Sequence, residues 1–273
     1  MNKYKVCCIL TFICILGSCI NKTIQNDADI SCLSLNVDFP KSGYSNNINE
    51  LSLLISQENA DLVFISEAYG ESGDSLYTLL SPIYPYSSYE WGGATNCLYS
   101  KYPFRWNHRV AREIDPYAFA CRFYVQLVDK EVALYCCHLS SNNIREDGSY
   151  VPFDGVNSLS DLYVYYQNYR RASNVRKKMV SAIIEDVNKE NVLVVGDMND
   201  IASSKALSQL VDSGFVNAWD ECGKGNGNTI HSPIPLRIDH IFAKNFHVES
   251  ASVISTNGFS DHDAIKAEFV IDK

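Results

Sequence analysis

Short apolar runs recur along this chain, and many of them end in a polar residue that a buried strand does not need. Val192, Leu193, Val194 and Val195 are followed by Gly196 and then by Asp197, Asn199 and Asp200. Branched apolar residues bounded by glycine read as a buried strand, and the acids stand where such a strand leaves its sheet. Comparable strands are expected over Ile30–Val37, Leu62–Ser66, Cys97–Ser100, Phe119–Val128, Val132–His138, Ile238–Phe242 and Ala267–Ile271, with helices over Ile48–Gln57, Gln167–Lys189 and Ser204–Ser213. The alternation of strands and helices makes this an α/β chain.

The first residues stand apart from that pattern. Lys3 and Lys5 precede an apolar run, Val6 to Leu16, that matches a signal-peptide core and is too short to span a bilayer. Leu16, Gly17, Ser18 and Cys19 resemble a bacterial lipobox, which implies cleavage before Cys19 and a lipid on that cysteine; an ordinary cleaved signal peptide is the alternative. Both readings take the chain out of the cytoplasm, and the lipid-anchored one places it in the cell envelope. Residues 20–29 are expected to form a polar tether, and residues 30–273 to fold as one domain. No later apolar stretch approaches a membrane span, so membrane contact is expected through the N-terminal lipid alone, with the body a monomer.

The formal charge is −9, and removing Lys3 and Lys5 takes it to −11. Such a body lacks the broad basic surface that gives nonspecific affinity for a polyanion, while bound divalent cations would offset the charge locally. Beyond the leader, Cys32, Cys97, Cys121, Cys136, Cys137 and Cys222 remain, read as core thiols or disulfide halves. Cys136 and Cys137 point to opposite sides of a strand and make a poor zinc clamp with His138. Residues 140–166, with Gly148, Pro152 and Gly155 among Tyr150, Phe153, Tyr163, Tyr165 and Tyr166, read as a long loop whose aromatics either anchor it or meet substrate.

Polar residues at strand ends carry the chemistry. "SLNV" supplies Asn36, "DLVFISE" Glu67, "LYCCHLSS" His138, "VVGDMND" Asp197 and Asn199, "LRIDHIF" Asp239, and "FSDHD" Asp261 and His262. Singly, each is ordinary: an acid after a strand is a common turn residue, and a histidine there often serves the core. Their order, with Gly196-Asp197-Met198-Asn199 and Ser260-Asp261-His262, resembles the endonuclease/exonuclease/phosphatase superfamily, whose fold is DNase I-like. The segment "ATNCLYSKYPF" resembles a strand of that family carrying Asn96.

The resemblance runs from about Ile30 to Ile271. It implies a four-layer sandwich, two packed mixed β-sheets flanked by helices, with a cleft at one edge. It also implies a phosphodiester hydrolase using a divalent cation, Mg2+ or else Mn2+ or Ca2+. On that pattern Glu67 is the principal metal ligand, with Asn36 beside it and Asp261 as a further one. Asp239 orients His262, and either His262 or Asp197 is the general base. Asn199 positions the nucleophile, and His138 donates to the phosphate or the leaving oxygen. Asn96 and Arg122 would contact the substrate phosphate, with a plain salt bridge the alternative for Arg122. His240 should face away from the site. An exported endonuclease acting on nucleic acid is the leading expectation, beside a phospholipid or small-molecule phosphoesterase and a noncatalytic binding lipoprotein.

Overall fold

Backbone pairing sorts the apolar runs into two sheets. The computed structural model describes residues 30–38, 47–88, 96–116, 118–143, 149, 159–231 and 235–271. The leader with Cys19, the tether, Tyr150 and Phe153 lie outside the described residues.

In chain order the first part comprises β1 (Ile30–Asn36), α1 (Ile48–Glu58), β2 (Leu62–Ser66), α2 (Gly70–Leu80), β3 (Tyr86–Ser88) and β4 (Cys97–Ser100). Next come β5 (Phe104–Arg109), β6 (Phe119–Gln126), β7 (Glu131–His138), α3 (Leu159–Asp186), β8 (Val192–Asp197) and α4 (Ser208–Asp212). The last elements are β9 (Val216–Asn217), α5 (Ala218–Cys222), β10 (Asp239–Lys244), β11 (Phe246–Ile254) and β12 (Ala264–Ile271). The first sheet has the order β11-β12-β1-β2-β4-β3 and the second β5-β6-β7-β8-β10-β9.

Three apolar layers hold these parts together. Phe64, Leu98 and Phe269 of the first sheet meet Phe123, Leu134 and Ile241 of the second in the core between the sheets. The outer face of the first sheet carries Val63, Ile65 and Tyr99 against Leu51 and Ile55 of α1 and Leu76 of α2. The outer face of the second carries Tyr135 and Val194 against Met179 and Ile183 of α3 and Leu210 of α4. Each such side chain contributes about 1.5–3 kcal/mol when fully buried. Alternation assigns Cys136 to the inner layer and Cys137 to the outer. All six cysteines of the body are free thiols.

Topology then fixes where the site can be. β1 pairs with β2 in parallel through α1, and β7 pairs with β8 in parallel through α3. Each crossover returns the chain to the same end, so the carboxyl ends of all four strands meet at one edge.

Several boundaries differ from those read in the sequence. The strand begun at Val192 continues through Gly196 to Asp197. Gly196 has φ 135°, and a Cβ there would lie 1.8 Å from the Cys137 carbonyl oxygen. The glycine therefore permits close approach of β7 and β8 rather than ending the strand. Helix α3 begins at Leu159, taking Tyr163, Tyr165 and Tyr166 out of the expected loop. β11 and β5, not expected from the sequence, are half-buried over most of their length and so lack a continuous apolar run.

Candidate active site

Asn36 ends β1, and its amide nitrogen spans the two sheets, donating to Glu67 Oε1 at 2.9 Å and to Asp197 Oδ2 at 3.1 Å. Its Oδ1 accepts from the Asp38 amide. Glu67 follows β2 directly and has φ 61°, a left-handed conformation that costs a non-glycine residue about 1–2 kcal/mol. This strain turns the carboxylate toward the partner sheet, where His138 Nε2 lies 3.4 Å from Glu67 Oε1 and 3.7 Å from Asp197 Oδ2. Asn96, fully buried, stands one residue beyond the Ile65–Cys97 pair and thus at the same edge.

Asp197 and Asp239 are register partners across β8 and β10, and both are buried. Asp197 Oδ1 accepts from the Asn199 backbone amide at 2.7 Å, while Asn199, at φ 51°, sends its side-chain amide to the Leu139 carbonyl at 2.9 Å. Asparagine tolerates that conformation, so the turn is tied to the strand carrying His138. Asp239 Oδ2 holds His262 Nδ1 at 2.8 Å. Ser260 anchors the histidine's loop, donating its hydroxyl to the Asn36 carbonyl and accepting from the His262 amide.

Electrostatics separate the roles of these groups. Burial raises the Asp197 pKa, the Asp239 charge raises it further, and His262 and His138 oppose the shift. Burial alone would strip the proton from His262, but the charge and hydrogen bond of Asp239, aided by Asp197 and Asp261, outweigh it and push the imidazole up to about 10. Asp261 Oδ1 lies 3.9 Å from His262 Nε2, so the ring stands between two carboxylates.

The oxygen-rich donor set fits a hard divalent cation. Glu67 and Asp197 flank His138, Asp239 and Asp261 flank His262, and Asp239 Oδ1 is buried without a hydrogen-bond partner. Asp197, Asp239 and His262 each bring a ligand atom within 4.8 Å of the others. Of the expected Glu67, Asn36 and Asp261, Asn36 donates to Glu67 and Asp261 lies beside His262. The carboxylates and the Asn36 amide are the oxygen donors that such an ion would meet at this edge.

Arg122 corrects an expectation. Its Nη1 donates to Asp186 Oδ2 at 2.6 Å and its Nη2 to Asn107 Oδ1 at 2.8 Å, on the α3 side of the second sheet. Strand alternation puts it on the face opposite Cys121 and Phe123, where it secures the end of α3 through the ion pair that was the alternative for this residue. His240 does face away from Asp239: Nε2 donates to the Asp200 carbonyl and Nδ1 accepts from Asn217. Burial pushes its pKa down to about 4.

Sequence reading also missed Arg176. This arginine is fully buried in α3 and donates to Asp200 Oδ2 at 2.9 Å, to the Ser140 carbonyl at 2.7 Å and to Asn142 Oδ1 at 2.9 Å. It binds the segment after His138 to the turn after Asp197. The signal was Asp200, a buried acid in need of a cation.

Two packed mixed sheets with flanking helices, and acids and histidines collected at one strand edge, define a phosphoesterase of the DNase I-like type. The chain belongs to the Endonuclease/Exonuclease/phosphatase family, whose model matches residues 33–262. No curated protein matches the sequence. Among solved structures, the endonuclease/exonuclease/phosphatase from Bacteroides vulgatus superposes with a TM-score of 0.65 at 16% identity, covering 89% of this chain and 99% of that one. A humanized D. rerio TDP2 gives 0.65 at 17% identity, covering 88% and 98%. A mannosyl-6-phosphatase from Bacteroides thetaiotaomicron gives 0.63 at 14%, covering 89% and 100%. At these identities the likeness is one of fold.

Proposed function

We propose that the protein is a divalent-metal-dependent phosphodiesterase that cleaves nucleic acid outside the cytoplasm, with magnesium as its ion. The observation that carries this reading is the buried Asp239–His262 pair set beside Asp197, Glu67 and His138 at one edge. Export rests on the lipobox-like Leu16-Gly17-Ser18-Cys19 of the sequence.

Glu67, with Asn36 and Asp261 at the same edge, would hold the cation. Bound there, magnesium supplies positive charge that neutralises phosphoryl oxygens and the leaving group. His262, kept as an imidazolium by Asp239, donates to a phosphoryl oxygen. Asp197, made more basic by burial, accepts the proton of the attacking water. His138 donates to the leaving oxygen. Asn199 holds the Asp197 turn against the strand of His138.

The test is incubation of the purified protein with supercoiled plasmid, in magnesium and in chelator, beside Asp197→Ala. Nicking that needs magnesium and disappears in the variant is the expected result. An intact plasmid beside a folded protein refutes the nuclease and transfers the search to phospholipids and small phosphoesters.

A further inference from the structure

Helix α3 is longer than the sheet it packs against. Its 28 residues extend about 42 Å, whereas the eight residues of β7 extend about 27 Å. Apart from Asn168, its buried residues all lie from Ala172 onward, and Arg176 meets Ser140 and Asp200, just past the carboxyl ends of β7 and β8. The helix runs back along those strands, so its excess length lies at the catalytic edge. Residues 159–171 form an arm that reaches past the strand ends, held on its inner side by buried Asn168 and by Arg171 Nη2 donating to the Ser141 carbonyl.

The arm's surface is unusual for this acidic chain. Tyr163, Tyr166 and Tyr169 are 63%, 52% and 40% exposed, and Leu159 and Leu162 continue the same apolar stripe to the tip. Residues at these three- and four-residue spacings lie on one side of a helix. Behind the tyrosines stand the exposed cations Arg170, Lys177 and Lys178, with Arg170 over the Tyr166 ring at 5.8 Å. Between Leu162 and Ile184 the helix carries no acidic residue at all, in a chain of formal charge −9. Stacked rings beside a line of cations are what a flexible polyanion with π faces requires.

We infer that this arm is a docking platform for single-stranded nucleic acid, stacking bases on Tyr163, Tyr166 and Tyr169 and pairing phosphates with Arg170, Lys177 and Lys178. The inference rests on the nucleic-acid reading above and narrows it: the preferred substrate is a single strand or an unpaired segment. A duplex offers its bases only edge-on and gains from the cations alone. The local basic line also reconciles polyanion binding with the acidic body, since the field near the arm is set by the nearest charges within a Debye length of about 8–10 Å.

The experiment is fluorescence anisotropy with labelled oligothymidylate, the corresponding duplex and, separately, anionic phosphatidylglycerol vesicles, all in chelator so that nothing is cleaved. The single strand should bind more tightly than the duplex. Tyr163→Ala/Tyr166→Ala should weaken it about tenfold or more, with the thermal melt as folding control. Tyr163→Leu/Tyr166→Leu keeps the apolar surface but removes the rings and should weaken it equally. Undiminished binding in either folded variant, absence of binding in the wild type, or binding of vesicles in place of the oligonucleotide overturns the inference, the last assigning the arm to a lipid surface. Magnesium-dependent cleavage is read in a separate reaction. Binding without cleavage therefore refutes the nuclease and leaves the platform standing.

Discussion

At the catalytic edge the first sheet presents Glu67 with 21% of its side chain exposed, whereas the second presents Asp197 and Asp239 with 2% and 0%. The first half is open and strained, held by the left-handed backbone of Glu67. The second is closed, its two carboxylates paired in strand register, and its left-handed positions fall on Gly196 and Asn199, residue types that tolerate them. An exposed carboxylate exchanges ligands readily with water and suits a cation that comes and goes. A buried one has lost its hydration and takes its properties from neighbouring charges. On the proposed mechanism burial divides the labour, with metal on the wet side and proton transfer on the dry side.

That contrast can be broken most severely at the mount of the dry half. Gly196→Ala would drive a Cβ into the Cys137 carbonyl and toward Phe64 of the opposite sheet, and should cost about 4 kcal/mol of stability in a denaturant titration. A variant as stable as wild type would show that β7 and β8 can part without loss. Acid offers a milder route, through His240. Its folded pKa, about 4, lies below the unfolded 6.5, so its contribution is fully present above pH 6.5 and is lost as pH falls toward 4. The loss should reach about 3 kcal/mol, and His240→Gln should flatten that part of the pH–stability curve.

Asp197→Ala tests the dry half chemically. Turnover should fall by about a hundredfold or more without loss of fold, because the proposed mechanism has this carboxylate act in the transition state. Near wild-type turnover would remove it from the mechanism. Glu67→Gln sharpens the comparison from the wet side: the magnesium concentration for half-maximal activity should rise about tenfold, with a smaller change in the saturated rate. Equal shifts from Glu67→Gln and Asp197→Asn in that titration would erase the distinction between the halves.

Much of this site could be read before any fold was known, since its members sit where apolar runs end. Asn36, Glu67, His138, Asp197 and Asp239 each interrupt or close such a run, and burial makes a polar residue there conspicuous. Arg122 was harder because a basic residue inside a strand says nothing by itself about its partner. Counting faces from Phe123 would have turned it toward α3. Arg176 gave no local sign within a helix already rich in cations, and its role depends on Asp200, distant in sequence. The start of α3 was obscured because tyrosines following Gly148, Pro152 and Gly155 look like a loop.

The sequence by itself determined the strands, the polar residues at their ends and the family to which the chain belongs, because periodicity and short motifs are local properties. Only the tertiary structure decided that Asn36 bridges the two sheets, that His262 lies between Asp239 and Asp261, and that α3, at 28 residues, outruns the eight-residue β7. These depend on how two sheets pack and how far a helix outruns its strands. No residue encodes such distances alone, since they emerge from the summed packing of layers far apart in the chain.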